Sequence, residues 1–275
     1  MNPIARILVP IYECRETYPA YEYATWLART LKSDLLLAPV VKGQRLVLPC
    51  IGGPAADGAV CVDVKGIGER QAQLEETGAR LAGLAEEQGI QAKSLPSKKI
   101  FDETVVTLSR QCDLLVDSRI HRRTVIERLL DYRDIYTDTC CPILVTGARN
   151  FSLNSTVLVY DGSKQASRAL RWLFALAEHS RLKTLRVLVV SRKEVGRQVM
   201  SKEVKALAGT HNACVEIESA AKRNGCRKTA ELAKELEASI VAMPAYAFPG
   251  RFGFRRVGME SNTLAGMDAS LLLFT

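Results

Sequence analysis

Val157-Leu158-Val159-Tyr160-Asp161-Gly162-Ser163 is a short apolar run that ends in turn residues, and Trp172-Leu173 follows it on a segment with helical spacing. The chain contains this arrangement a second time, because Ile7-Leu8-Val9-Pro10-Ile11-Tyr12 precedes Trp26-Leu27. An apolar run bounded by turn residues is typical of a buried strand. We therefore interpret the sequence as two copies of one unit.

The two copies continue to agree further along the chain. Matching apolar runs and helix-to-strand steps occur at residues 35–41 and 185–190, 104–116 and 229–243, and 141–145 and 270–274. Continuous apolar runs indicate strands that are buried on both faces, as in parallel sheets. Helical spacing occurs near residues 18–31, 67–88, 101–111 and 124–139 in the first copy, and near 164–179, 194–208, 228–237 and 257–268 in the second. Strands that alternate with helical segments indicate βαβ units. The sequence therefore predicts an α/β fold in which each copy is a five-stranded, mostly parallel sheet flanked by helices.

This pattern also predicts the domain boundaries. We assign the first domain to residues 1–148 and the second to residues 154–275, with a polar junction between them. The first domain carries an insertion at residues 42–65, in which two apolar arms flank Gly, Pro and Asp residues and predict a hairpin or flap. This insertion is either a passive surface excursion, a cover over a ligand pocket or a contact for a partner.

Composition narrows the class of protein. No apolar run approaches the roughly 18–20 residues of a membrane-spanning helix, and the N-terminus lacks a signal-peptide pattern, so we expect a cytoplasmic protein with no membrane partner. The eight cysteines form no C-x-x-C pair, and the sequence has three histidines. We therefore predict no metal site, and we expect the cysteines to pack as small apolar residues.

The strand-and-turn pattern resembles the universal stress proteins in their tandem two-domain form. The resemblance rests on residues 157–163 and 167–173, since the first strand of this family typically ends in Asp-Gly-Ser before an alanine-rich helix. Residues 238–243 resemble the fourth strand of the family. The first copy departs from it, with Tyr12-Glu13-Cys14 in place of Asp-Gly-Ser. The resemblance extends over nearly the whole chain.

This resemblance implies a Rossmann-like fold, domains that pair through their fifth strands, and an assembly that can extend to a homodimer. Some members bind ATP, with a G-x2-G-x9-G-(S/T) motif after the fourth strand, so ATP or a related nucleotide is the implied cofactor. This chain departs from that motif in both copies. Its positions hold Ser118, His121 and Asp131 in the first copy, and Pro244 and Ala247 with Gly258 in the second. Ordinary ATP cradling is therefore not expected.

The loop after the fourth strand is instead basic in both copies. The cationic residues of the first copy are Arg119, His121, Arg122 and Arg123, and the candidate ligand-binding residues of the second are Gly250, Arg251, Gly253, Arg255 and Arg256. Side-chain charge ahead of a helix N-terminus can hold an anion. The alternative is that these arginines only solvate an exposed loop or pair with nearby acids.

The remaining candidate site residues follow the first and second strands of the second copy. Asp161, Gly162 and Ser163 either face a ligand or form a turn in which Ser163 caps the next helix. Val190 ends the second strand, where an adenine edge meets the backbone in family members, or it belongs to the core. We interpret the tryptophans as core residues, and His179 and His211 as surface or capping groups.

The sequence lacks a nucleophile elbow, a P-loop, an H-E-x-x-H motif and paired carboxylates, so no catalytic residue is assigned. We predict a non-catalytic stress-response or regulatory protein that binds a small anionic ligand, such as a nucleotide, mainly through the second domain. One alternative is a metal-dependent nucleotide hydrolase with Asp161 as a metal ligand. The other is a basic nucleic-acid-binding protein, suggested by the net charge of +8.

Overall fold

The computed structural model describes residues 4–12, 14–40, 64–96, 102–118, 139–146, 153–179, 182, 184–211, 215–245 and 269–275. The strands of the first half are β1 (Arg6–Ile11), β2 (Asp34–Pro39), β3 (Ala92–Ser94), β4 (Leu114–Ser118) and β5 (Ile143–Thr146). Those of the second half are β6 (Ser155–Tyr160), β7 (Thr184–Ser191), β8 (Val215–Ala221), β9 (Ile240–Pro244) and β10 (Ser270–Phe274). The helices are α1 (Cys14–Leu31), α2 (Val64–Glu87), α3 (Asp102–Ser109), α4 (Lys164–His179), α5 (Glu194–Thr210) and α6 (Gly225–Glu235).

The ten strands found among the described residues belong to one sheet, in the order β3-β2-β1-β4-β5-β10-β9-β6-β7-β8. Neighbouring strands are parallel except at the centre, where β5 and β10 are antiparallel and Leu144 pairs with Leu272. From its outer edge to the centre, the first half has the order β3-β2-β1-β4-β5. The second half has the corresponding order, β8-β7-β6-β9-β10. The observed architecture confirms the predicted α/β class with a mostly parallel sheet.

Helices cover both faces of the sheet. One core cluster contains buried residues of α1, α2, α4 and α5, such as Leu27, Leu81, Leu173 and Val204. The other lies on the opposite face and includes Val105 of α3 and Leu232 of α6. Both faces of most strands inside the sheet are thus buried, which is why their sequences are continuously apolar. The edge strands β3 and β8 are only partly buried, and their sequences contain polar residues.

The two tryptophans occupy corresponding helices of the two halves. Trp26 lies on α1 and Trp172 on α4, and both are partly buried against the same core cluster. Trp26 makes an edge contact with Tyr23, and Trp172 makes one with Phe274, each with ring centroids 5.7 Å apart. The prediction that these residues serve packing is therefore confirmed, although they lie at the margin of the core.

The structure corrects three predicted boundaries. Helix α1 begins at Cys14, four residues before its predicted start at Tyr18. Helix α2 begins at Val64, so the last two residues of the predicted 42–65 insertion are helical, and its remaining residues lie outside the described ranges. Helix α6 begins at Gly225, three residues earlier than the apolar spacing indicated, because a 3-10 turn at Lys222–Asn224 leads directly into it. The helices predicted near 124–139 and 257–268 also lie outside the described ranges.

Among the residues that the structure describes, no helix is both long enough and apolar enough to span a membrane.

Candidate functional site

The candidate site lies where β6, β7 and β9 end at the same edge of the sheet. In the sheet, β6 is flanked by β7 on one side and β9 on the other. The chain thus leaves β6 toward one neighbour and returns on its other side, which creates a crevice at the carboxyl ends of the strands. Ligands of open α/β sheets bind in such a crevice. The first half has the same arrangement around β1.

The Asp161-Gly162-Ser163 turn forms one wall of this crevice. The Asp161 Oδ1 atom accepts a hydrogen bond from the Ser163 backbone N–H at 3.1 Å. The Ser163 Oγ atom accepts one from the Ala166 N–H at 3.1 Å, so Ser163 is the N-cap of α4. The capping prediction is therefore confirmed, whereas ligand contact by these residues remains a prediction. Gly162 is exposed and has a φ of 76°, a backbone conformation that favours glycine.

Helix α5 packs directly onto this turn. A Cβ atom on Gly162 would lie 2.7 Å from the Met200 Sδ atom. A Cβ atom on Gly196 would lie 2.8 Å from the Ser191 Oγ atom. The two glycines therefore allow the first turns of α5 to approach the ends of β6 and β7 closely.

Arg197 supplies a cation at this edge of the sheet. Its Nη1 atom donates a hydrogen bond to the carbonyl oxygen of Ser191, the last residue of β7, at 3.2 Å, and its guanidinium also pairs with Glu194. The side chain is 16% exposed, so it is largely held against the protein but reachable by solvent. The sequence alone does not point to Arg197, because this residue is one of several basic residues on an amphipathic helix and no local motif distinguishes it.

Tyr160 is the last residue of β6, and Val190 is the last but one of β7. The Tyr160 hydroxyl is 3.2 Å from the Ser167 Oγ atom and donates to the Glu203 carboxylate at 3.4 Å. Burial raises the pKa of this phenol above its usual value. Val190 is buried with the core cluster on the other face, so its side chain packs instead of facing a ligand. Only its backbone remains a candidate for ligand contact.

Helix α2 of the first half also lies close to the ends of its strands. A Cβ atom on Gly78 of α2 would collide with the Ser94 Oγ atom and lie 3.2 Å from Pro39 and 3.4 Å from Ile11. Helix α2 is therefore pressed against the ends of β1, β2 and β3. Tyr12, which stands where Asp161 stands in the second half, is 3% exposed.

Aligning the buried faces of α2 and α5 sharpens this difference. Leu81 and Ala85 of α2 correspond to Val204 and Ala208 of α5, and all four are buried. With this alignment, Leu74 and Thr77 occupy the positions of Arg197 and Met200. The first half thus has a buried leucine where the second half has a cation.

The predicted site residues in the loops after the fourth strand of each copy have no counterpart among the described residues. Gly250, Arg251, Gly253, Arg255 and Arg256 lie outside the described residues, as do Arg119, His121, Arg122 and Arg123. Their part in anion binding stays a prediction.

The described histidine and cysteine side chains are accounted for by packing and capping. His211 follows α5, its backbone N–H bonds the Ala208 carbonyl oxygen, and its Nδ1 atom is 3.0 Å from Glu178 Oε1, which confirms a capping and surface role. Cys112, Cys141 and Cys226 are buried, as predicted, whereas Cys140 is exposed. Within the described part of the chain, no three or more His, Cys, Asp and Glu side chains are grouped to hold a metal ion.

Comparison with known proteins supports the fold. No family model and no curated protein matches this sequence. A universal stress protein from Archaeoglobus fulgidus DSM 4304 superposes with a TM-score of 0.74 at 15% identity, covering 100% of this chain and 97% of that one. A functionally unknown protein from Pseudomonas aeruginosa PAO1 superposes with a TM-score of 0.59 at 16% identity, covering 98% of this chain and 92% of that one. The chain therefore resembles the universal stress proteins and has their fold over its whole length.

Proposed function

We propose that this chain is a non-catalytic regulatory protein of the universal stress type, which binds a small anionic ligand of the nucleotide class at the carboxyl ends of β6, β7 and β9. In this proposal the Asp161-Gly162-Ser163 turn contacts the ligand, the backbone of Val190 lines the crevice, and Arg197 provides positive charge. The basic residues of 250–256 complete the site. The first half serves a structural or partner-binding role.

The contrast between the two crevices carries this proposal. In the second half, the half-buried Asp161 and the exposed Gly162 follow β6, and the guanidinium of Arg197 bonds the last residue of β7. In the first half, the buried Tyr12 stands in the place of the aspartate, and the buried Leu74 stands in the place of the arginine. A cation that is partly desolvated by its surroundings binds an anion more strongly than a fully hydrated one. A binding role requires only this shaped and charged crevice, whereas hydrolysis would also require a positioned base or metal.

The proposal includes the domain organisation. We propose that residues 1–148 and 154–275 form two domains that pair within one chain, and the hydrogen bonds between β5 and β10 support this arrangement. A cytoplasmic location belongs to the same proposal. Native mass spectrometry of the purified chain would report a co-purified ligand and whether the pair assembles further into a homodimer.

Titration calorimetry with ATP and with adenosine tests the binding proposal. We expect ATP to bind and adenosine to bind much more weakly, because adenosine lacks the anionic phosphates. Replacing Arg197 with Gln removes a charged hydrogen-bond donor, for which the expected loss is about 10- to 100-fold in affinity, or about 1.5–3 kcal/mol.

Lys205→Gln is the matched control, because it removes the same charge from an exposed position of the same helix. Equal losses for the two variants would show that Arg197 acts only through net charge. ATP binding that is as weak as adenosine binding would contradict an anion site. Turnover of ATP in the presence of Mg²⁺ that disappears in Asp161→Ala would contradict the non-catalytic role.

A further inference from the structure

Two corresponding helices, α2 and α5, carry the large apolar side chains that are exposed among the described residues. These side chains are Leu84 of α2, which is 40% exposed, and Val195 and Val199 of α5, which are 69% and 51% exposed. Single apolar residues are common on protein surfaces. Val195 and Val199, however, are four residues apart on one helix, so they are neighbours and form a continuous apolar patch.

Cations flank this patch. Lys202 lies seven residues after Val195 on the same side of α5, and Arg192 stands two residues before the helix, at a spacing of three residues from Val195. Both cations are exposed, and neither forms an ion pair with another described residue. We call Arg192, Val195, Val199 and Lys202 the basic stripe.

Helix α2 has a surface of the opposite charge. Acidic and small residues follow each other there at intervals of three or four residues, and we call this set the acidic stripe: Glu69, Ala72, Glu76, Ala79, Gly83 and Glu87. Its three glutamates are exposed, and none of them forms an ion pair with another described residue. The acidic stripe therefore offers negative charge beside small side chains.

Gly83 in this stripe is not explained by packing within the described chain. A Cβ atom on Gly83 would have no neighbour within 4 Å, whereas one on Gly78 of the same helix would collide with Ser94. Glycine weakens the interior of a helix relative to alanine. The glycine at position 83 thus leaves room for a group that comes from outside this surface.

The two stripes lie on the same side of the molecule. Buried residues of α2 and α5 belong to one core cluster, so both helices cover the same face of the sheet. They lie on opposite sides of the central β5–β10 pair. A twofold axis between two copies can therefore bring α2 of each copy onto α5 of the other, and the same contact then forms twice.

We propose that the acidic stripe binds the basic stripe of a second copy of this chain, and that a homodimer forms through these two contacts. Val195 and Val199 pack on the small residues of α2, and the glutamates surround them and pair with Arg192 and Lys202. An apolar centre with a polar rim is the usual anatomy of a protein interface. Contacts between two α2 helices or two α5 helices would instead bring like charges together.

Sedimentation velocity of the full-length chain over a concentration series tests this proposal. We expect a dimer, and Lys202→Glu and Glu76→Lys are each expected to raise its Kd at least about tenfold, because each variant places like charges across the contact. The double variant with both changes should recover most of the lost affinity, since the charges are opposite again.

Ala79→Gln tests the apolar centre separately from charge. It adds a larger neutral side chain to the acidic stripe at an exposed position and is expected to weaken the dimer. Lys234→Glu is the matched control for charge reversal, because Lys234 is exposed on α6, which covers the other face of the sheet, and the Kd should not change. Far-UV circular dichroism checks that each variant folds.

A parent chain that sediments as a monomer at about 100 μM, where even a weak specific dimer forms, would overturn the proposal. A dimer that becomes tighter in Lys202→Glu would also overturn it, because two α5 helices would then face each other. The result is separate from ligand binding. ATP binding by a monomeric chain would remove this interface and leave the proposed function intact.

Discussion

Leu36 and Arg186 occupy the same place in the two halves of the sheet. Leu36 pairs with Leu8 on one side and Lys93 on the other, and Arg186 pairs with Val157 and Glu216 in the same register. The two positions nevertheless have different surroundings. Leu36 borders a cavity of about 650 Å³ between β2, β3 and α3, whose lining also includes Leu95 and Leu108.

Arg186 is surrounded by carboxylates instead. Its side chain is 13% exposed, its Nε atom donates to Glu216 at 2.8 Å, and its Nη1 atom lies 2.9 Å from Glu235 and 3.5 Å from Glu218. Glu218 also pairs with Lys228 at 3.0 Å. These contacts join β7, β8 and α6. Helix α6 has 11 residues, whereas the corresponding helix of the first half, α3, has 8. One backbone position can therefore border either a cavity or an ion network, depending on the neighbouring strand and helix.

The largest expected effect concerns the junction that the two halves share. Leu144 and Leu272 are corresponding residues that pair with each other, and both are buried. Replacing either with Ala is expected to lower the free energy of unfolding by about 3 kcal/mol, because each leaves a cavity in the same sheet. Urea denaturation measures this change. Leu84→Ala on the exposed face of α2 is expected to cost less than about 0.5 kcal/mol. Different losses of unfolding free energy for Leu144→Ala and Leu272→Ala would contradict the equivalence of β5 and β10.

The Gly162 turn offers the next largest effect. Gly162 and Gly89 both have a φ of 76°, but only Gly162 faces a neighbour within 4 Å, the Met200 side chain. Gly89→Ala is expected to cost about 1–2 kcal/mol for the left-handed backbone. Gly162→Ala should cost more, because Met200 must also move. Thermal unfolding of both variants measures the difference. Equal costs would show that α5 does not restrain the turn.

The ion network of the second half predicts a smaller effect. Arg186→Met leaves three carboxylates without their shared cation, and we expect a loss of about 1–2 kcal/mol that shrinks at high salt. Glu216 and Glu235 are largely exposed, so water can hydrate their carboxylates in the variant, and this limits the loss of unfolding free energy. Urea denaturation at low and high salt checks both statements. A variant as stable as the parent at low salt would mean that the network contributes specificity and not stability.

The smallest effect is expected at the cap of α4. Ser163→Ala removes the acceptor for the Ala166 N–H and should cost about 1 kcal/mol in unfolding free energy. Lys164→Ala, at the next and exposed position, is expected to change stability by less than about 0.5 kcal/mol. If both variants have the same unfolding free energy as the parent, the Ser163 cap does not stabilise the turn, and the hydrogen bond to Asp161 is sufficient.

Much of the fold was predictable because its signals are local. Helix α4 was predicted over 164–179 and is observed there, because its apolar positions recur at helical spacing and Ser163 caps its N-terminus. The start of α6 was predicted three residues too late, because the 3-10 turn before it has no apolar periodicity. For Val190 the sequence left two interpretations open, a backbone contact with an adenine edge or a core residue. Its side chain lies in the core, and a ligand contact by its backbone stays a prediction.

By itself, the sequence determined the duplication, the α/β class and the capped Asp-Gly-Ser turn, because periodicity and turn chemistry act between residues close along the chain. Only the tertiary structure decided that Arg197 reaches Ser191 and that Arg186 contacts three glutamates. Those contacts depend on strand register and helix packing, which join residues from different elements.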